Sequence, residues 1–131
     1  MSEPSFLIVE QVEWLHKVAI DRFGGIHGLR DRPLFEGAVF QSRNVYYYAR
    51  GDLFDVAAAY AFHISEAQAF VDGNKRTAIA AALVFLESNG VTLPSETRRL
   101  YNAMIGISEK RVSKVDLAAL LRELAAHPHA S

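Results

Sequence analysis

The chain has 131 residues, of which half are hydrophobic and 22% charged, with a formal net charge of -1. That length suits one domain with a buried core, and the balanced charge argues against a broad basic surface for direct nucleic-acid or membrane binding. The lack of cysteine excludes disulfides, thiolate metal sites and thiol nucleophiles.

The start, Met1-Ser2-Glu3-Pro4, is acidic where a signal peptide is basic. The longest apolar run, Ala78 to Leu86, is too short to span a bilayer. A cytoplasmic location without a membrane partner is therefore expected.

Phe6 to Val9 reads as a short strand or as the lead-in to a helix. From Glu10 to Phe23, apolar residues recur at helical spacing (Val12, Leu15, Val18/Ala19, Phe23), and Gly24-Gly25 ends the helix. After a loop over 26–32, Asp31 is the N-cap and Pro33 the first-turn residue of a second helix, expected to run to Gln41 with Leu34, Ala38 and Phe40 inward. Asn44 to Tyr48 is expected as a separate aromatic segment ending at Arg50-Gly51. Three consecutive tyrosines, Tyr46 to Tyr48, cannot all face one core, so part of the segment lines a surface or cleft.

Asp52 caps a strongly apolar helix to Gln68, with Leu53, Val56, Ala57, Tyr60, Ala61 and Ile64 in a wide buried stripe. Its expected partner runs from Lys75 to Ser88, with Ile79, Ala82, Leu83 and Leu86 inward and Asn89-Gly90 as the stop. A fifth helix is expected from Pro94-Ser95 to Ile107, and a sixth from Lys114 to Ala125 with Leu117, Leu120/Leu121 and Leu124 on one face. The fold class is thus all-α, a bundle of about six helices forming a single domain over residues 1–131, with a disordered tail at 127–131.

The stretch richest in chemistry is Gln68-Ala69-Phe70-Val71-Asp72-Gly73-Asn74-Lys75-Arg76-Thr77, between the two most apolar helices. It sets a carboxylate, an amide and two cations at a helix N-terminus, where first-turn N–H groups lack intrahelical partners and the dipole is positive. Lys75 and Arg76 oppose that dipole unless something negative sits over them. This pattern suits a nucleotide phosphate.

His63 through Gly90 resembles the Fic/Doc superfamily, and within it the Doc (death-on-curing) branch. Fic enzymes carry His-Pro-Phe-x-acid-Gly-Asn-Gly-Arg followed three residues later by a second Arg. The chain matches from Phe70 through Arg76, with Lys75 at the second glycine and Ile79 at the second arginine, both typical of Doc. Similarity extends to Phe23-Gly24-Gly25, Gly28-Leu29-Arg30-Asp31 and Asp52-Leu53-Phe54.

The resemblance implies a toxin of a toxin–antitoxin pair that transfers the γ-phosphate of ATP to a threonine of elongation factor Tu. Fic relatives instead transfer AMP to a hydroxyl, and Lys75 and Ile79 speak against that alternative. Residue by residue, the resemblance implies that Asp72 holds Mg2+ and that Phe70, Gly73, Asn74, Lys75 and Arg76 form the nucleotide site. Lys75 and Arg76 also offset charge on the transferring group, so that Gln68, Asp72, Lys75 and Arg76 make up the catalytic set. The implied partners are a cognate antitoxin and the target protein, with the 26–32 loop, Leu29 and Tyr46–Tyr48 as candidate contacts.

One departure matters. The motif histidine that serves as general base is Gln68 here, flanked by Ala67 and Ala69. Glutamine orients a hydroxyl but does not accept its proton near neutral pH. His63, five residues earlier, lies ~140° around the helix and is expected to face elsewhere. His27, near the flap, is the candidate substitute. Either reduced transfer or a retired nucleotide- or partner-binding module is consistent with Gln68.

Overall fold

The computed structural model describes residues 3–94 and 98–126. Six helices follow one another: α1 (Val9–Phe23), α2 (Arg32–Ala49), α3 (Leu53–Ala67), α4 (Asn74–Ser88), α5 (Arg98–Ser108) and α6 (Lys114–Ala126). The all-α expectation holds among the described residues, where the one β-type pairing is an isolated bridge between Leu29 and Phe70. Pro94, expected with Ser95 to open the fifth helix, has non-helical backbone, while Ser95 and the expected disordered tail at 127–131 lie outside the described residues. No helix among the described residues is long and apolar enough to cross a membrane.

α3 is the axis of the bundle. Val56 to Ala61 are buried without interruption, so this helix meets neighbours on nearly every side. Its alanines let α4 approach closely, and Ala78, Ala81 and Ala82 do the same from the opposite side. Phe35, Phe85, Leu86, Met104, Ile107, Leu117 and Leu121 fill the remaining core. α3 starts on a reciprocal cap in which Asp52 accepts from the Asp55 N–H and Asp55 from the Asp52 N–H, each at 2.9 Å. Arg122 of α6 then donates to both carboxylates, at 3.0 Å and 2.8 Å.

The Phe6–Val9 run proves to be a lead-in, with extended backbone up to the first residue of α1. Tyr60 of α3 anchors it: its buried hydroxyl accepts from the Leu7 N–H at 2.9 Å and donates to the Leu7 carbonyl at 3.3 Å. Burial pushes that phenol up to about 12. Asn89 holds the same segment through the Ser5 N–H and carbonyl, at 2.7 Å and 3.1 Å.

α2 corrects the expectation of a helix ending at Gln41. It continues through the tyrosines to Ala49 and stops at Arg50, whose φ of 56° closes it before Gly51. Nothing between Ser42 and Ala49 breaks a helix, and consecutive tyrosines on a helix fan around the axis. Tyr46 and Tyr47 pack on Phe6 with centroids 5.8 Å and 5.9 Å away, while Tyr48 projects into solvent. The inward face of α2 is Phe35, Ala38, Val39 and Ser42; Leu34 and Phe40, expected inside, are about half exposed. An i, i+3, i+4, i+7 stripe through Phe35 leaves Leu34 and Phe40 off its arc.

Candidate active site

α3 ends on Gln68, which takes a left-handed conformation (φ 46°, ψ 43°) and turns the chain sharply out of the helix. The loop from Gln68 to Gly73 then lies between two supports. On one side runs the flap of residues 24–31. The Ala69 carbonyl accepts from the Arg30 and Asp31 N–H groups (2.7 Å and 3.3 Å), the Val71 N–H donates to the Gly28 carbonyl (2.9 Å), and the Arg30 guanidinium donates to the Gln68 carbonyl (2.7 Å).

On the other side, His16 of α1 is buried against the loop. Its ring stacks on Phe70 with centroids 3.7 Å apart and planes 9° apart, and its Nε2 lies 2.8 Å from the Asp72 carbonyl. Since a carbonyl only accepts, that nitrogen carries the proton. Burial lowers the imidazole below its ordinary value, with the bond to Asp72 opposing the shift.

Asn74 closes the loop internally. Its side-chain oxygen accepts from the Phe70 N–H at 3.1 Å and its amide nitrogen donates to the Phe70 carbonyl at 3.0 Å. The Asp72 carboxylate accepts from the Gly73 N–H (2.9 Å) and, across the gap, from the Ile26 N–H of the flap (3.2 Å). Each oxygen retains lone-pair capacity for a further partner. Two glycines make this approach possible. A Cβ on Gly25 would sit 2.7 Å from Asp72 Oδ2, and one on Gly73 would sit 2.9 Å from Ile20 Cδ1, both at positive φ.

α4 begins at Asn74 without a side-chain cap and without an acidic residue in its first turn. Its first helical bond runs from the Thr77 N–H to the Gly73 carbonyl at 3.0 Å, so the amides of Asn74, Lys75 and Arg76 have no partner within the helix. Among the described residues no carboxylate pairs with Lys75 or Arg76; the Arg76 guanidinium carbon sits 4.4 Å from the centroid of the Phe23 ring.

A cavity of about 510 Å³ opens above this helix end, in the size range of small-molecule sites. Gln68, Asp72, Gly73, Asn74, Lys75 and Arg76 all line it. Phe70, expected in the nucleotide site, does not; only 2% exposed, it supports the loop from beneath, wedged against His16 and Phe35.

Ile20, Ser65 and Tyr101 also line the cavity, and no sequence motif marks them. Tyr101 in particular comes from α5. Nor does a motif mark His16 as a support, because its two contacts are with residues more than fifty positions away.

The histidines resolve separately. His27 pairs with Asp21 at 2.9 Å and lines a neighbouring hollow beside Trp14, so it does not share the cavity with Gln68. His63 faces away from the cavity, as expected, and lies against α6, where Lys114 donates to its Nε2 at 3.2 Å. No histidine of the described residues lines the cavity.

The arrangement fits a nucleotide with its metal. The uncapped amides and two cations without a carboxylate partner among the described residues suit phosphate oxygens. Asp72 offers hard oxygen ligands, and no group of three or more His, Cys, Asp or Glu gathers among the described residues. A cation held there would take most of its ligands from phosphate and water, as Mg2+ does beside nucleotides.

The Fic/DOC family profile matches residues 6–86, from the N-terminal lead-in to the end of α4's buried stripe. The protein named "Protein kinase doc" from Escherichia phage P1 is 35% identical over 117 residues, covering 88% of this chain and 91% of that protein. "Toxin Doc" of Mycolicibacterium smegmatis (strain ATCC 700084 / mc(2)155) is 44% identical over 78 residues, covering 56% of this chain and 58% of its own. With the loop, the uncapped helix and the flap joined in one site, the chain belongs to the Fic/Doc family, in its Doc branch.

Proposed function

We propose that this protein is a Doc-like toxin, neutralised by a cognate antitoxin in the cytoplasm, that phosphorylates a Ser/Thr hydroxyl of a translation factor of the elongation factor Tu class. The observation that carries this reading is the uncapped start of α4, with Asp72, Lys75 and Arg76 on one cavity. The relative named a protein kinase matches across nearly its whole length, and the second relative is named a toxin.

Bound Mg-ATP supplies the phosphoryl group: its bond to the β-phosphate oxygen breaks, a bond to the target's hydroxyl oxygen forms, and ADP leaves. Asp72 would hold the metal, which would draw charge off the phosphate oxygens. The α4 amides, Lys75 and Arg76 offset the charge on the transferring group, which is the main protein contribution to such transfers. Gln68 orients the hydroxyl through its side-chain amide, and the proton passes to solvent water. A positioned base contributes ~10²–10⁴-fold, so transfer is slow but retained.

A second reading is a retired module that binds nucleotide without transfer, favoured by the absence of histidine from the cavity lining among the described residues. Labelling of a bacterial extract with γ-labelled ATP and Mg2+ separates the two. If native protein labels one band and Asp72→Ala does not, it is a kinase; if only Gln68→His labels, the site is intact and retired.

A further inference from the structure

We propose that Phe23 is the positioning residue for Arg76, an aromatic platform that sets the guanidinium at the phosphate end of the cavity. The proposal rests on the nucleotide-site reading above. Phe23 closes α1 immediately before Gly24-Gly25, and 60% of it is exposed. An exposed Phe at that level contributes little to the core, yet it lines the cavity together with Arg76.

The Arg76 guanidinium carbon lies over the ring, 4.4 Å from its centroid, and Arg22 places a second guanidinium 5.7 Å from the same ring. Neither arginine has a carboxylate partner among the described residues. Among the described residues, the ring's negative face is thus the attractive partner that holds Arg76 in place. A guanidinium supported on an aromatic face keeps its in-plane N–H donors free, and those are the donors that grip phosphate oxygens. A carboxylate partner would occupy the same donors. The platform orients the cation without using up its hydrogen-bonding capacity.

The test is calorimetric titration of the full chain with Mg-ATP and, separately, with inorganic tripolyphosphate. Native protein, Phe23→Leu, Phe23→Tyr, Arg76→Ala, Asp72→Ala and the Phe23→Leu/Arg76→Ala double variant are compared. Circular dichroism and thermal unfolding confirm that each folds.

Phe23→Leu is expected to weaken both probes about two- to fivefold, the equivalent of a cation–π contact at an exposed or partly exposed site. Phe23→Tyr, which keeps the ring, is expected to restore most of that loss. In the Arg76→Ala background, Phe23→Leu is expected to change nothing further, because its effect passes through the arginine.

Native affinity in Phe23→Leu overturns the proposal; if Asp72→Ala and Arg76→Ala still weaken binding, the nucleotide site stands. An equal loss with and without Arg76 also overturns it, since Phe23 then acts by touching the ligand itself. Failure of native protein to bind either probe removes the nucleotide site and the platform together.

Discussion

Asp72 can face both the cavity and the flap because the backbone at Gly25 leaves room for its carboxylate. Gly25 has φ 120°, and a methyl there would press on Asp72 Oδ2. Gly25→Ala is therefore expected to destabilise the fold by roughly 1–3 kcal/mol and to weaken Mg-ATP binding as Asp72 turns away. Thermal unfolding and calorimetric titration read the two effects separately. The opposite outcome is expected deep in α2. The Ser42 hydroxyl is fully buried without a hydrogen-bond partner among the described residues, so it carries a desolvation cost. Ser42→Ala removes that cost and improves helix propensity, for an expected gain of about 0.5–1.5 kcal/mol in urea unfolding.

The helices that carry the site are tied together by groups whose charge depends on pH. At the start of α3, burial pushes the Asp52 carboxyl up, but the Arg122 guanidinium and the Asp55 N–H outweigh it and leave Asp52 below its ordinary value. A carboxyl lowered by folding stabilises the protein above its unfolded value of about 3.9, and that contribution disappears as pH falls through the folded one. Arg122→Gln should flatten the acid limb of a stability-versus-pH curve below about pH 4. His63, farther along α3, acts in a higher window. Burial, with Lys114 beside it, pushes the imidazole down to about 4 from 6.5. The neutral form belongs to the fold, so its contribution is complete above pH 6.5 and declines towards pH 4. His63→Leu is expected to shrink the stability loss across that interval, as measured by chemical denaturation at stepped pH.

For the molecule as a whole, the decisive question is what Gln68 leaves of the chemistry. Gln68→His restores a base at the lip of the cavity and is expected to raise labelling of the target by ~10²–10⁴-fold, provided His adopts the left-handed backbone that Gln68 holds (φ 46°). By itself the sequence determined the six-helix plan, the break between α3 and α4, and the loop of Asp72, Gly73, Asn74, Lys75 and Arg76, because apolar periodicity, glycine stops and a contiguous motif are local signals. It also placed His63 away from the site, since helical geometry alone decides that angle. Tertiary structure decided the rest. The tyrosine segment joined α2 once Phe6 gave two of its rings a packing partner, and Phe70 went beneath the loop because His16 and Phe35 enclose it. His16, Phe23 and Tyr101 entered the site only when α1 and α5 were folded against the end of α4. Contacts between residues distant in sequence leave no periodicity to read, so the groups that support Asp72 and Arg76 emerge only when the helices are assembled.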